Sequence, residues 1–294
     1  MDTNTPYKSW YWNENEEIRD WIHWEMFKDS GSKRQTSDFI LVGKQFVIVN
    51  RFYPLGRKYF YTNQLKIRFV EHELEPSWHA FHSHVRLKFV GENDKPVELQ
   101  KDWKKQIFGY DLIFDLDNKP FKKWWRTEGT LNHPDIPKIV KSGLQDVKNE
   151  TKILKSFLDS YNVPYILNHS GTGFRICLEW DDIKNYFTLE DYGTRTTQFI
   201  EWVLNKSNPS EEGHDYKSFG EIQTGFALTR VLWSLHPISK NIALPLGDNE
   251  FENFEFEHAN YDVVLKNLKI IKSSESYNKK RKGDFGKIYR EFVE

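Results

Sequence analysis

Hydrophobic residues recur with two different periods along this chain, and the alternation between them outlines its elements. From Glu16 to Phe27 the apolar side chains Ile18, Trp21, Ile22 and Met26 fall at helical spacing, which predicts an amphipathic helix. Residues 38 to 90 read differently. The runs FILVGKQFVIVNRFY, RKYFYTN, LKIRFV and HSHVRLKFV are β-branched and aromatic with turn residues between them, so this stretch is predicted to be rich in strands. In GYDLIFDLDN the period of two continues: Leu112, Phe114 and Leu116 point one way while Asp111, Asp115 and Asp117 interleave, giving a strand that ends in acid. Helical spacing returns with Ile139, Val140, Leu144, Val147, Ile153, Leu154, Phe157 and Leu158, over about residues 137–161, until Asn162-Val163-Pro164 stops it. A strand (YILNHS), a glycine turn (GTG), a second strand (FRICLEW) and a helix near 189–204 follow. The stretch 272–287, KSSESYNKKRKGDFGK, has little to bury and is expected to be loosely held.

Composition narrows the class. Of 294 residues, 38% are hydrophobic and 29% charged, while aromatics reach 16%, so a core built on aromatic packing is expected. No apolar run approaches the roughly 20 residues that span a bilayer, and the first residues lack the layout of a secretion signal. These features point to the inside of the cell and to no membrane partner. The single cysteine, Cys177, excludes disulfides and multi-thiolate zinc sites within the chain. Lys and Arg number 42 against 43 Asp and Glu, so any polyanion site has to be local.

Three segments carry candidate chemistry. Asp115 and Asp117 lie two apart on a strand and therefore share a face. Carboxylates so placed can share hard cations such as Mg²⁺ or Mn²⁺, and two such ions suit phosphoryl transfer to a hydroxyl. An Asp-x-Asp at a strand end can equally cap a turn. In His169-Ser170-Gly171-Thr172-Gly173-Phe174-Arg175, glycines let backbone N–H groups approach an anion, Ser170 and Thr172 add hydroxyls, and Arg175 adds a phosphate-binding fork. An ordinary hairpin turn reads the same way. In Arg230-Val231-Leu232-Trp233-Ser234-Leu235-His236-Pro237, followed by Lys240, a cationic His236 or Arg230 would offset charge on a leaving phosphate. A buried structural histidine is the plainer alternative.

In this order the segments resemble the catalytic small subunit of archaeal and eukaryotic primases and the wider primase-polymerase superfamily. That pattern runs Asp-x-Asp at a strand end, a helix, a strand into Ser-Gly-x-(x)-Gly-x-His, then a basic residue, Ser-Leu-His-Pro and a Lys. The matching positions are Asp115 and Asp117, Ser170 to Arg175, and Arg230, Ser234, His236 and Lys240. Arg57 to Tyr61 before Arg68-Phe69 resembles the Arg-Glu-Phe-x-Phe stretch of the same subunit, so the likeness covers about residues 50–246. Arg175 departs from the family by replacing its histidine. The third metal-binding carboxylate has no clean counterpart: the ungapped position is Ser218, with Asp215 and Glu221 to either side, and Glu221 is taken because Thr224 follows it.

The resemblance implies an α/β (α+β) primase-polymerase core, a central mixed or antiparallel sheet flanked by helices, with the acidic strand beside the His236 strand. It implies an N-terminal helical segment over 1–35, a catalytic domain over 36–270 and a basic polar tail over 271–294. Asp115, Asp117 and Glu221 would be the catalytic residues and hold two Mg²⁺ or Mn²⁺ ions, with no structural zinc. Ser170, Thr172, Gly173, Arg175, Arg230, Ser234, His236 and Lys240 would bind the nucleotide. Implied partners are a single-stranded DNA template, nucleoside triphosphates and a primase large subunit. Two other readings remain: a non-catalytic template-binding or assembly subunit, and a primer-extending repair polymerase of the same superfamily.

Two further groups stand outside these motifs. His79, His82 and His84 could bind zinc or line a surface strand. Trp124 and Trp125 could stack on a base or pack against the neighbouring helix.

Overall fold

A computed structural model describes residues 9–10, 13–27, 34–42, 45–52, 79–87, 107–129, 133–207, 228–236, 238–273 and 280–294. Among them, strands form two antiparallel sheets. In the first, β1 (Arg34–Val42), β2 (Gln45–Phe52), β3 (His79–Leu87) and β4 (Ile107–Tyr110) lie in the order β2-β1-β3-β4. A short strand β8 (Leu228–Arg230) also pairs with β3, which places Arg230 opposite Phe81. The second sheet orders β5 (Leu112–Leu116), β7 (Phe174–Leu178) and β6 (Ile166–His169) as β5-β7-β6.

The α/β expectation therefore holds, and every described strand pairing is antiparallel. The neighbour of the acidic strand differs from expectation. β5 lies at the edge and pairs with β7, because the short turn after β6 folds β7 back between them. The His236 segment joins the opposite side, where Asn168 bridges Pro245 and the His169 N–H donates to Leu244 O at 2.8 Å. β5 is apolar because both its faces are covered: Ile113 is buried along with Leu112, Phe114 and Leu116.

Helix α1 is Glu16–Phe27, as the sequence predicts. Ile22 is fully buried, and Trp21 packs edge-on against Trp233 at 5.0 Å. Helix α2 (Lys119–Thr127) follows β5, and α3 (Ile136–Ser160) lies behind the second sheet. Val140, Leu144, Val147, Leu154 and Leu158 form the buried stripe of α3, and burying each such side chain stabilises by about 1.5–3 kcal/mol. Ile153, expected on that stripe, is 41% exposed, since it lies one residue off the 3.6-residue track through Leu154. The helix stops where Asn162 takes a left-handed φ of 57° and the Val163 N–H returns to Leu158 O.

Helices α4 (Trp180–Ile183) and α5 (Arg195–Ser207) come next. The latter starts later than predicted, because the Asp191 carboxylate accepts from the Thr188 N–H and hydroxyl and holds the preceding residues in turns. Short helices α6 (Asp248–Glu252), α7 (Tyr261–Lys266) and α8 (Leu268–Ser273) lead to α9 (Gly286–Val293).

The second half of the supposedly loose polar stretch is held firmly. Lys280 pairs with Glu179 and Asp182, Arg281 with Asp159, and the Asp284 N–H donates to Asn162 O. Phe285 and Ile288 are buried among Tyr186, Phe187 and Phe199. Lys280 and Arg281 face acidic partners on the body of the protein, and Tyr289 and Phe292 add to the apolar anchor of the helix by packing on Phe187 and Phe199. Among the described residues no helix is long and apolar enough to cross a membrane.

Candidate functional site

Three loops meet at one end of the second sheet. The first is the end of β5. Its register puts Asp115 directly opposite Arg175 of β7, and Arg175 Nε donates to Asp115 Oδ1 at 3.1 Å. Asp117, two residues on, is joined by Lys122 Nζ from the first turn of α2. Both carboxylates are largely shielded, with side chains 17% and 19% exposed. Burial raises the Asp117 pKa, the charge of Asp115 raises it further, and Lys122 pulls it partly back. The two aspartates thus sense each other as like charges in a partly desolvated place.

The second loop is the glycine turn. The Ser170 N–H donates to Gly173 O, and the Gly173 N–H donates to Ser170 Oγ at 3.2 Å, so the Ser170 hydroxyl holds the turn. Two close approaches require glycine here. A Cβ on Gly173 would lie 2.2 Å from the Leu116 carbonyl oxygen, and one on Gly171, at φ +105°, would lie 2.6 Å from the His236 Cβ. One glycine therefore seats the turn against the acidic loop, and the other seats it against the histidine. His169 itself points away into the core between Phe174 and Phe254; burial holds its pKa down to about 3, opposed in part by the Gly173 and Gly171 backbone.

The third loop is a tight turn around His236, between residues bridged at Leu235 and Ile242. His236 Nδ1 accepts from the Ile238 and Ser239 N–H groups at 3.3 and 3.1 Å, which leaves the ring proton on Nε2. These two N–H groups fix the orientation of the imidazole. Arg230 is buried with its Nη1 donating to Leu235 O at 3.4 Å, and the Ser234 hydroxyl donates to Val231 O at 2.6 Å. Both brace the turn. Lys240 holds a left-handed φ of 58°, and burial lowers its pKa to about 8. Trp233 is likewise at φ 67°. Two non-glycine residues in that region within one loop mark stored backbone strain.

Sequence reasoning missed two residues that tie these loops together. Asn118 caps α2 by accepting from the Phe121 N–H at 3.0 Å, while its Nδ2 donates to Val140 O at 2.7 Å and Thr172 O at 3.3 Å. An Asn two residues before Pro120 is a legible helix start, but its reach to Thr172 depends on the fold. Ser239 Oγ donates to Gly171 O at 2.8 Å and joins the histidine turn to the glycine turn. No local signal distinguishes it from any loop serine.

Glu221, with its alternatives Asp215 and Ser218, lies outside the described residues, as do Arg57 to Phe69 and the side chains of His79, His82 and His84. Among the described residues there is no cluster of three or more metal-ligating groups. Of the tryptophan pair, Trp125 is buried and Trp124 packs edge-on against His133 at 5.5 Å, so packing accounts for both.

The class defined by fold and site is an α/β protein with antiparallel sheets. At one sheet end it gathers an acidic pair, a glycine turn and a backbone-oriented histidine. No family model matches the chain, and no curated protein matches it in sequence. Among solved structures it is similar to the polymerase domain of Ligase D from Mycobacterium tuberculosis, determined in complex with DNA. The two are 10% identical, with a TM-score of 0.48 over 85% of this chain and 88% of that one.

Proposed function

We propose that this chain is a nucleotidyltransferase of the primase-polymerase type that joins nucleoside triphosphates on a single-stranded DNA template and synthesises primers. One observation carries the reading: Gly173 packs on the Leu116 carbonyl beside Asp117, while Gly171 packs on His236, so the three motifs open on one place.

The residues present fit a divalent cation. Asp115 and Asp117 project from one face, and the Asp117 pKa, raised first by burial and then by the Asp115 charge, marks two close carboxylates between which a cation would relieve the like-charge part. Asp115 and Asp117 would hold Mg²⁺ or Mn²⁺, with Glu221 as the third carboxylate. Two such ions, when bound, supply an activated hydroxyl nucleophile and charge stabilisation for a departing pyrophosphate. The chain's own groups do the rest. The N–H groups of the Ser170 to Gly173 turn and the Thr172 hydroxyl bind phosphate oxygens, and His236 donates Nε2–H to the same anion. Arg230, Ser234 and Ser239 hold that donor in place, and Lys240, its pKa lowered by burial to about 8, adds a positive charge close to the strained turn.

A second reading, a template-binding subunit without catalysis, draws on the cationic partner that each carboxylate already has. Labelled nucleotide incorporation on unprimed and primed single strands, with and without Mn²⁺, separates the possibilities. Metal-dependent products on unprimed template support a primase. Products on primed template alone support an extending polymerase, and template binding without incorporation supports the second reading. His236→Ala should raise KM for nucleotide about tenfold, the scale of one lost hydrogen bond to a charged group, with a smaller change in kcat. An unchanged KM removes His236 from the site.

A further inference from the structure

Arg175 occupies the centre of a row. Across one ladder it faces Asp115, to which its Nε donates at 3.1 Å, and across the other it faces Asn168. Residues in register on neighbouring strands share a face and lie within side-chain reach of one another. Asn168 is 5% exposed, and its Oδ1 is buried with no hydrogen-bond partner among the described residues. The guanidinium therefore has an engaged acceptor on one side and a vacant one on the other.

Chemistry makes this row more than a salt bridge. Arginine keeps its charge at any pH a protein meets, so it cannot release Asp115 by losing a proton and can do so by moving. Its planar fork suits carboxylate and phosphate alike. Lys122, the counterion of Asp117, differs: its side chain is 45% exposed, so water can replace it readily.

We propose that Arg175 is a resident counterion of Asp115, displaced towards Asn168 when a divalent cation takes both carboxylates, and that it then presents its remaining N–H groups to the nucleotide phosphate. This rests on the proposed function and adds a coupling to it: cation and nucleotide are bound in order, because the first frees the group that holds the second.

The test is direct binding on the full chain. Free Mn²⁺ is titrated by its paramagnetic resonance signal in the wild type, R175Q, R175K and D117N, with thermal melts to confirm folding. R175Q should bind Mn²⁺ about tenfold more tightly than the wild type, because a partly shielded opposite charge is removed. R175K should stay near the wild type. At saturating Mn²⁺, R175Q should bind a non-hydrolysable ATP analogue about tenfold more weakly, the loss expected for one charge-assisted contact. These opposite shifts are not produced by a role confined to holding β5 and β7 together. Mn²⁺ affinity in R175Q equal to or below that of the wild type overturns the proposal, and should that variant not fold, R175M is read in the same way. Equal Mn²⁺ affinity in D117N and the wild type instead overturns the catalytic reading beneath it.

Discussion

The two ends of β5 carry the same residue types to opposite effect. At its start, Asp111 has a fully buried side chain. Arg86 meets it through Nε at 3.0 Å and Nη2 at 2.9 Å, and the Trp180 N–H donates to the same oxygen at 2.9 Å. Arg86 also reaches Asp181 at 2.9 Å and Glu179 at 3.4 Å, so one guanidinium is surrounded by three carboxylates from two elements. At the far end, Asp115 and Asp117 keep part of their surface in solvent, and the bond from Arg175 to Asp115 runs through Nε alone among the contacts described. The first arrangement locks β3, the β4–β5 corner and α4 together. The second leaves carboxylate oxygens able to change partners, which is what binding an exogenous cation needs.

That contrast can be broken most severely at the far end. Asp115→Ala and Asp117→Ala should each lower incorporation by about 10³-fold or more while the circular dichroism spectrum stays native, since they remove charge stabilisation from the transition state. Activity retained in either variant counts against the whole assignment. At the near end the cost should fall on stability. Arg86→Ala leaves the buried Asp111 carboxylate without its cation and should cost roughly 3–5 kcal/mol in urea unfolding. A loss below about 1 kcal/mol would mean that the cluster is far better solvated than its burial indicates.

The smallest effect concerns pH. The Asp117 pKa is raised in the folded protein, so the native state holds that proton more tightly than the unfolded chain does. Stability is therefore lost as pH climbs from the ordinary carboxylate value through the raised one. Asp117→Asn should raise the melting midpoint at neutral pH, and the gain should vanish below the ordinary carboxylate range. A gain that persists in acid would point to packing instead.

Much of this could be read from the chain beforehand, for identifiable reasons. The period-two run into Asp115 and Asp117, the long stripe of α3 and its stop at Asn162 are local signals, and each element formed where its pattern placed it. That the three motifs would converge was an expectation drawn from their order along the chain; the contacts of Gly173 with Leu116 and of Gly171 with His236 come from the fold. Partners across the ladder were not legible. That Arg175 faces Asp115, or that Asn118 reaches Thr172, depends on register between strands and on a helix docking behind them, which no spacing in the sequence encodes. The anchoring of residues 280–294 was missed for a related reason. Lysines and arginines read as solvated until the acidic groups opposite them, Glu179, Asp182 and Asp159, are brought near by the fold.

The indole N–H of Trp10 donates to the carbonyl of Trp233, a residue 223 positions later, and that carbonyl belongs to the strained turn leading to His236. During synthesis the Trp10 indole must wait for residue 233 to emerge before it finds this partner. The turn that orients the imidazole is thus completed only when two segments 223 residues apart close on each other. Loop closure over such a span makes assembly slow. A nascent chain interrupted before residue 233 would keep exposed indoles and could not form the place where the three loops meet.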